Sequence, residues 1–272
     1  MKLSIITINY NNCKGLRRTI DSVVAQTFKD YEWIVIDGGS TDGSKELIEQ
    51  YADYFCYWVS EPDKGIYNAM NKGIKAARGE YLQFLNSGDG LCDSTILEKV
   101  FSKEYDADIV FSDRVMMFYE DGTTELVVRT KGNFFTPFNL IQQNINHQSA
   151  FIRKELFDKL GLYDETYHII SDRKFFFDSI LLHDAKTAML DYVLVNYNGE
   201  GLSSTIDSTK EKERLLQERM PKGALSDYYE SEKKTNYISQ HQHAIDVFTE
   251  LRKHWLIRKG MYFFYRIYSR KR

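Results

Sequence analysis

The sequence predicts an α/β protein in which a mostly parallel sheet is flanked by helices and followed by a C-terminal helical extension. Two observations support this fold class. Short apolar runs alternate with stretches of helical periodicity through the first half of the chain, and the apolar runs end in small polar residues and carboxylates. Because the carboxyl ends of parallel strands meet at one edge of a sheet, we expect a ligand site at that edge.

Four strands and three helices are predicted before residue 90. In chain order they are a strand at 3–8, a helix at 16–25, a strand at 33–36, a helix at 44–51, a strand at 55–59, a helix at 66–77 and a strand at 81–85. Strands that run in parallel need long crossover connections, usually helical, so this order favours a parallel sheet.

The fourth strand carries the most informative stretch, GEYLQFLNSGDG at 79–90. Its apolar run has the length of a buried strand and delivers Asp89 to a loop at the sheet edge. The alternative is that 87–90 forms only a turn that leads into a helix, since Ser, Gly and Asp are the commonest turn residues. The stretch by itself leaves both interpretations open.

The second strand ends in Asp37, a carboxylate that could accept hydrogen bonds from a base or a ribose. The glycines at 38–39 would leave room for that ligand, although 40–42 could equally form a helix cap. The sequence has no G-x-G-x-x-G after the first strand and no G-x-x-x-x-G-K-[ST]. These absences argue against a dehydrogenase and against a P-loop enzyme.

Composition limits the remaining classes. A chain of 272 residues with 43% hydrophobic residues can bury one large core, and a net charge of −3 gives no general attraction for nucleic acid. Cys13, Cys56 and Cys92 are widely spaced and include no CxxC pair, which suits a reducing compartment. Without a signal-like N-terminus or a long apolar run, we expect a cytoplasmic protein.

The second half predicts a strand at 107–112 and a hairpin of 115–119 and 125–129 around an Asp-Gly turn. The aromatic and amide-rich stretch 133–148 is a mobile loop, a saccharide-binding wall or an ordinary packed connection. Asp172 lies at the start of a helix predicted over 174–182. It could serve as a general base or simply cap that helix.

The composition changes after residue 207. We expect helices at 210–220 and 236–254, separated by a break at 221–223. The last segment, 252–272, mixes Lys and Arg with Trp, Tyr, Phe and aliphatic residues. This mixture suits a helix in the interface of an anionic membrane. A helix packed on its own domain or on a second subunit is the alternative.

Five motifs in this chain resemble those of family 2 glycosyltransferases, which are inverting enzymes with the GT-A fold. They are IITINYNN at 5–12, VIDGGSTDGS at 35–44, EPDKGIYNAMNKGI at 61–74, ARGEYLQFLNSGD at 77–89 and NHQSAFIRKELFDKLGLYDE at 146–165. The resemblance covers about residues 3–200. It implies a nucleotide-diphosphosugar donor and Mn²⁺ or Mg²⁺.

The resemblance also implies the roles of individual residues. Asp172 corresponds to the catalytic base and Asp89 to the metal-binding carboxylate. Asp113, which follows a predicted strand, is the reserve candidate for the base on that ground and not on the resemblance. His147 could contact the metal or the diphosphate, or be structural. The nucleotide-sugar site implied by the motifs consists of Thr7, Asn9, Tyr10, Asp37, Ser40, Asp63, Lys64, Gly65, Asn71, Asn86, Ser87 and Gly88.

One position departs from the family pattern. Many relatives carry a second acidic residue where this chain has Asn86 or Gly88, so Asp89 is the only carboxylate of its loop. One Asp together with substrate phosphates and waters is enough for Mg²⁺ or Mn²⁺. Weak metal affinity is expected when no nucleotide is bound.

The resemblance implies a transferase of cell-surface polysaccharide synthesis that uses a nucleotide sugar, by default a UDP-sugar, and a saccharide or lipid-linked acceptor. The donor half is expected at 1–112, the acceptor half at 113–207 and the extension at 208–272. A nucleotidyltransferase is one alternative, although NYNNCKG after the first strand lacks its usual Gly-rich basic loop. A noncatalytic sugar-nucleotide-binding module is the other. The protein is expected in the cytoplasm, with peripheral contact at the inner membrane face.

Overall fold

The computed structural model describes residues 1–119, 121–128, 135, 140–141, 145–199, 201 and 206–240. The chain divides into two compact units, Met1–Leu215 and Leu216–Arg272. The boundary lies inside a helix, close to the division after residue 207 that the sequence suggests.

The described residues form the following elements. The strands are β1 Leu3–Asn9, β2 Tyr31–Asp37, β3 Tyr57–Ser60, β4 Tyr81–Phe84, β5 Gly90–Leu91, β6 Ile109–Ser112, β7 Arg114–Phe118, β8 Thr124–Val128, β9 Ala150–Arg153, β10 Thr187–Leu190 and β11 Val195–Asn198. The α-helices are α1 Cys13–Val24, α2 Ser44–Gln50, α3 Ile66–Ala76, α4 Ile96–Phe101, α5 Lys154–Leu160, α6 Ser171–Phe177, α7 Thr209–Arg219 and α8 Lys222–Gln240. A π-helical stretch, Asp178–Leu182, continues α6.

The larger sheet has the strand order β10-β6-β9-β4-β1-β2-β3 across the described residues. Strand β1 pairs in parallel with both β2 and β4, and its register places Asn9 opposite Asp37. Strand β9 alone runs antiparallel, between β4 and β6. Because its direction is reversed, β9 starts at the edge where β4 and β6 end. The residues just before β9 therefore reach the predicted ligand edge.

A smaller sheet has the strand order β5-β11-β7-β8 across the described residues. Its β7–β8 hairpin closes with Tyr119 N–H donating to Thr123 O at 3.0 Å, as the Asp-Gly turn predicts. Strand β5, which follows Asp89 directly, pairs antiparallel with β11. This pairing brings the end of β11 to the loop of Asp89.

Apolar faces hold the sheet and its helices together. Helix α1 buries Leu16, Thr19, Ile20 and Val23, which follow the three- and four-residue spacing of one helix face. The side chain of Asn12 caps α1 by accepting from Gly15 N–H at 3.0 Å. The first turn of α1 is thereby fixed next to the ligand edge.

Several predicted elements differ from the structure. The helix predicted to start at Ser171 or Asp172 does start at Ser171, but it is α-helical only to Phe177 and continues as the π-helical stretch. The predicted helix at 236–254 begins earlier, at Lys222, because Pro221 fits just before a helix start. Residues after 240 and most of 129–144 lie outside the described residues. Within the described chain, no helix is both long enough and apolar enough to cross a membrane.

Candidate active site

Asp37, at the end of β2, organises the loop that follows it. Its side chain is fully buried and accepts hydrogen bonds from Asn9 Nδ2 at 2.7 Å, Ser40 Oγ at 2.6 Å, Ser40 N–H at 2.9 Å and Ser60 Oγ at 2.6 Å. Burial would raise the pKa of Asp37, but these hydrogen bonds hold it below its ordinary value.

A carboxylate has about four acceptor positions, and all four are used here. The predicted contact of Asp37 with a base or ribose would therefore have to replace one of these four hydrogen bonds. The Ser40 hydroxyl is also engaged, since it donates to Asp37 and accepts from Asn11 N–H at 2.8 Å. Asp37, Ser40 and Asn9 form one cluster that shapes the loop.

Tyr10 and Asp63 meet over Gly38. A Cβ atom at Gly38 would lie 2.6 Å from Asp63 Oδ2 and 3.1 Å from Tyr10 Cδ2, so only glycine permits this approach. Tyr10 is 68% exposed, and Asp63 Oδ1 accepts from Gly65 N–H at 2.9 Å. An exposed ring beside a carboxylate offers a base both a stacking surface and an acceptor. Lys64, next in the chain, is exposed as well.

Two predicted nucleotide contacts lie elsewhere. Thr7 is fully buried, and its Oγ1 accepts from Trp33 Nε1 at 3.0 Å. Asn71 is buried too and clamps the backbone of Tyr163, donating to its carbonyl at 2.9 Å and accepting from its N–H at 3.0 Å. Both side chains hold packed elements together. A motif position does not reveal which neighbour will form a hydrogen bond with a buried polar side chain, so the sequence did not predict these partners.

The loop after β4 presents Asp89 to the site. Thr19 Oγ1, on α1, donates to Asp89 O at 2.7 Å and accepts from Gly88 N–H at 3.0 Å. Asn12 Nδ2 donates to Ser87 O at 3.0 Å. The loop is therefore fixed by α1, and the turn interpretation of 87–90 describes its shape without explaining its buried carboxylate.

Asp89 is only 4% exposed. Its Oδ1 accepts from Asn198 N–H, and its Oδ2 accepts from Gln148 Nε2, each at 3.0 Å. Burial outweighs these two hydrogen bonds and raises the pKa of Asp89 to about 6. Gln148 and Asn198 were not expected at this position.

Asp172, the second residue of α6, is 5% exposed and lies close to the same loop. His147 Nδ1 is 2.9 Å from its Oδ2, and Tyr67 OH donates to its Oδ1 at 2.9 Å. Burial would raise the pKa of Asp172, but the hydrogen bonds from His147 and Tyr67 hold it below its ordinary value. Asp172 is thus ionised at neutral pH, as a general base must be.

His147 links this carboxylate to the loop of Asp89. Its Nε2 lies 3.2 Å from Asn86 Nδ2, so Nε2 accepts from that amide and Nδ1–H donates to Asp172. Both ring nitrogens are engaged, so the predicted metal or diphosphate contact would have to replace the contact with Asn86 or with Asp172. Asp113, the reserve base, is buried and lies 3.8 Å from Arg114 Nε.

Comparison with known proteins identifies the family. The glycosyl transferase family 2 profile matches residues 4–161. The PGL/p-HBAD biosynthesis glycosyltransferase of Mycobacterium bovis is 32% identical over 219 residues, which cover 78% of this chain and 83% of that protein. The chain belongs to glycosyl transferase family 2. The resemblance drawn from the five sequence motifs is confirmed.

Solved structures of glycosyltransferases share the fold. S. aureus TarS 1–349 in complex with UDP superposes with a TM-score of 0.61 at 18% identity, covering 84% of this chain and 69% of that one. This chain spans 42% of a longer TarS chain. The mannosyltransferase PcManGT from Pyrobaculum calidifontis, in complex with GDP-Man and Mn²⁺, has a TM-score of 0.56 at 13% identity, covering 95% of this chain and 82% of that one. The predicted GT-A fold is confirmed.

The carboxylate oxygens of Asp89 fit a divalent cation that is also bound by the phosphates of the substrate. Across the described residues, no three His, Cys, Asp or Glu side chains are grouped as a metal site. Asp89 provides a hard oxygen donor, and each of its oxygens keeps an acceptor position beside its one hydrogen bond. A cation would favour the charged form that burial disfavours.

Proposed function

We propose that this protein is an inverting glycosyltransferase that moves a sugar from a nucleotide-diphosphosugar to a saccharide or lipid-linked acceptor. The complexes of TarS with UDP and of PcManGT with GDP-Man support a nucleotide-sugar donor. The name of the M. bovis relative supports a role in glycolipid or surface polysaccharide synthesis. A UDP-sugar is the default donor.

The donor binds across two parts of the sheet edge. The base stacks on Tyr10 with Asp63 as an acceptor, and Lys64 faces the charged part of the nucleotide. The diphosphate lies towards the loop 86–89, where Asp89 would hold Mg²⁺ or Mn²⁺. That cation would neutralise negative charge on the leaving nucleoside diphosphate.

Asp172 acts as the base. It takes the proton of the acceptor hydroxyl while that oxygen forms a bond to the anomeric carbon, and the bond from this carbon to the diphosphate breaks on the opposite face. The observation that carries this proposal is the chain of contacts Asn86–His147–Asp172, which joins an ionised carboxylate to the donor loop. A mere helix cap would need neither partner.

Replacing Asp172 with Asn tests the base. Asn has the same size and can still cap a helix, but it cannot take up a proton at neutral pH. General-base catalysis contributes about 10²- to 10⁴-fold, so kcat should fall by that amount in Asp172→Asn while donor affinity stays unchanged. Asp113→Asn is the matched control, because Asp113 is another buried carboxylate of the same unit.

The donor for this experiment is chosen by thermal shift from UDP- and GDP-sugars in Mn²⁺, and turnover is followed as release of the nucleoside diphosphate. A loss below about tenfold in Asp172→Asn would contradict the assignment of the base. Retained anomeric configuration in the product would contradict single displacement. A wild-type protein that binds a nucleotide sugar but never releases nucleoside diphosphate would be a noncatalytic module, and release of pyrophosphate from a nucleoside triphosphate and a sugar phosphate would indicate a nucleotidyltransferase.

We extend the proposal to the place where the protein works. The reducing compartment expected from the cysteines suits the cytoplasm, and the basic and aromatic segment 252–272 suits peripheral contact with an anionic membrane. That segment lies outside the described residues, and its sequence is what supports contact with a membrane. A lipid-linked acceptor would make such contact useful.

A further inference from the structure

The segment that leads into the helix of Asp172 is bound by a carboxylate from the C-terminal part of the first unit. Glu211, in the first turn of α7, accepts three successive backbone N–H groups. Its Oε1 accepts from His168 N–H at 2.6 Å, and its Oε2 accepts from Ile169 N–H at 3.0 Å and Ile170 N–H at 3.1 Å. Hydrogen bonds to an ionised acceptor are about twice as strong as neutral ones.

These contacts hold the backbone just before α6, where the local sequence provides no side-chain cap. The residue at the N-cap position of α6 is Ile170, whose side chain makes no capping hydrogen bond. The N–H groups before α6 thus depend on a side chain that lies about 40 residues further along, since the pairs are separated by 41 to 43 positions.

The same segment is held at two further points. Arg214, one turn after Glu211, donates to Thr166 O at 3.2 Å and lies over the ring of Tyr167 at 4.2 Å from its centroid. On the other side, Tyr67 OH lies 2.7 Å from Ile169 O and 2.9 Å from Asp172 Oδ1, and its single hydrogen is shared between these two acceptors. A shift of the backbone at 168–170 would therefore disturb the hydrogen bond that Tyr67 makes to Asp172.

We infer that Glu211 is a positioning residue for transfer: its carboxylate fixes residues 168–170 so that Asp172 meets the acceptor hydroxyl. The inference rests on the proposed role of Asp172 as the base. It makes the start of α7 part of the machinery of transfer, although α7 lies beyond the region matched by the family profile, residues 4–161.

The test uses the full chain with Glu211→Gln. Both carboxylate oxygens accept hydrogen bonds here, whereas an amide has one acceptor oxygen and turns an N–H₂ donor towards a backbone donor. A misplacement of about 1 Å can lower a rate by about 10²-fold, so we expect kcat to fall by about 10- to 100-fold while the KM for the donor stays within about twofold. Glu213→Gln is the matched control, because Glu213 is an exposed glutamate of the same helix.

A second comparison separates positioning of Asp172 from general damage to the fold. If Glu211 acts through Asp172, Glu211→Gln should lower the rate of Asp172→Asn by less than about twofold, because the two substitutions remove the same contribution. A purely structural role would lower the double variant's rate by the full factor of the single one. That additive result would overturn the inference, and so would an unchanged kcat in Glu211→Gln.

The outcome for Asp172→Asn alone keeps the two proposals apart. If that variant retained its rate, the proposed base would fail whatever Glu211 does. If it lost its rate while Glu211→Gln did not, only the inference about Glu211 would fail. Amide hydrogen exchange at 168–170, compared between wild type and Glu211→Gln, measures the loss of the three hydrogen bonds without depending on activity and should be at least tenfold faster in the variant.

Discussion

Asp89 and Asp172 are both buried carboxylates, yet their surroundings move their pKa values in opposite directions. Asp89 accepts only a backbone N–H and a neutral amide, and burial raises its pKa to about 6. At Asp172 burial acts in the same direction, but hydrogen bonds from His147 and Tyr67 outweigh it and lower the pKa. Divergent pKa values in one site are typical of groups with different tasks.

His147 should control how the activity depends on pH. In His147→Phe the ring size is kept, but the donor to Asp172 is lost, so the pKa of Asp172 should rise. A base works only when ionised, and its rate is lost as the pH falls through its pKa. Because hydrogen bonds from His147 and Tyr67 hold the pKa of Asp172 below its ordinary value, the acid limb of the wild type lies below the ordinary range for Asp. In the variant this limb should move upwards.

The measurement is kcat between pH 4 and pH 8. We expect a loss of about tenfold at pH 8 from poorer orientation, less than removal of the base itself, and a larger loss at low pH. His147→Gln can still donate one amide hydrogen and should recover part of the rate. His183→Phe, at an exposed histidine, is the control. An acid limb unchanged in His147→Phe would contradict the role of the hydrogen bond.

Sequence reasoning located the carboxylates of the site better than their neighbours. The local sequence places Asp89 after an apolar run and Asp172 at the start of a helix, while the roles predicted for them come from the family resemblance. Thr7 and Asn71 were assigned to the nucleotide but are bound inside the fold. Such contacts join residues 26 and 92 positions apart, and no local pattern encodes them.

The antiparallel strand β9 decides the composition of the site. It was not predicted, because its four residues form a short apolar run directly followed by a helix. The parallel strands β1, β2 and β4 were predicted, because short apolar runs alternate with stretches of helical periodicity in that part of the chain. Reversal of β9 places His147 and Gln148, which precede it, at the edge where β4 delivers Asn86 and Asp89.

Gly88 forms the turn of the loop 86–89. Gly88 has φ +106°, and a Cβ there would lie 3.3 Å from both Asn12 Nδ2 and Asn198 Nδ2. Gly88→Ala should therefore destabilise the fold by about 1–2 kcal/mol and lower affinity for a nucleotide sugar in Mn²⁺, because the loop must move away from its two neighbours.

Gly122→Ala separates the two effects. Gly122 also has a positive φ, +85°, but a Cβ there meets nothing within 4 Å, and the turn lies in the β7–β8 hairpin. That variant should show the loss of stability, measured by urea unfolding, without loss of nucleotide-sugar affinity, measured by calorimetry. Equal affinity in Gly88→Ala and wild type would mean that the loop does not contact the donor.

Charge is distributed unevenly along the chain. Residues 252–272 contain eight Lys and Arg and no Asp or Glu, so the net charge of −3 for the whole chain becomes −11 for residues 1–251. The acidic remainder is repelled by an anionic surface, whereas the last segment is attracted to it. Contact with such a membrane would therefore orient the protein by its C-terminus.

The last prediction tests this contact by ending the chain at His254. The deleted part, 255–272, holds six of the eight basic residues together with every Trp, Tyr and Phe of the segment. Each Lys or Arg near an anionic surface contributes about 1 kcal/mol at physiological salt, so the full chain should sediment with phosphatidylglycerol vesicles and be released at high salt. It should not sediment with phosphatidylcholine vesicles. The shortened chain should stay in the supernatant and keep its turnover of donor with a soluble acceptor.

A variant with these six residues changed to Gln, which keeps the aromatic side chains, should bind far more weakly than the full chain. If the full chain does not sediment at low salt, or if the shortened chain precipitates, the segment is a packing element of the protein itself.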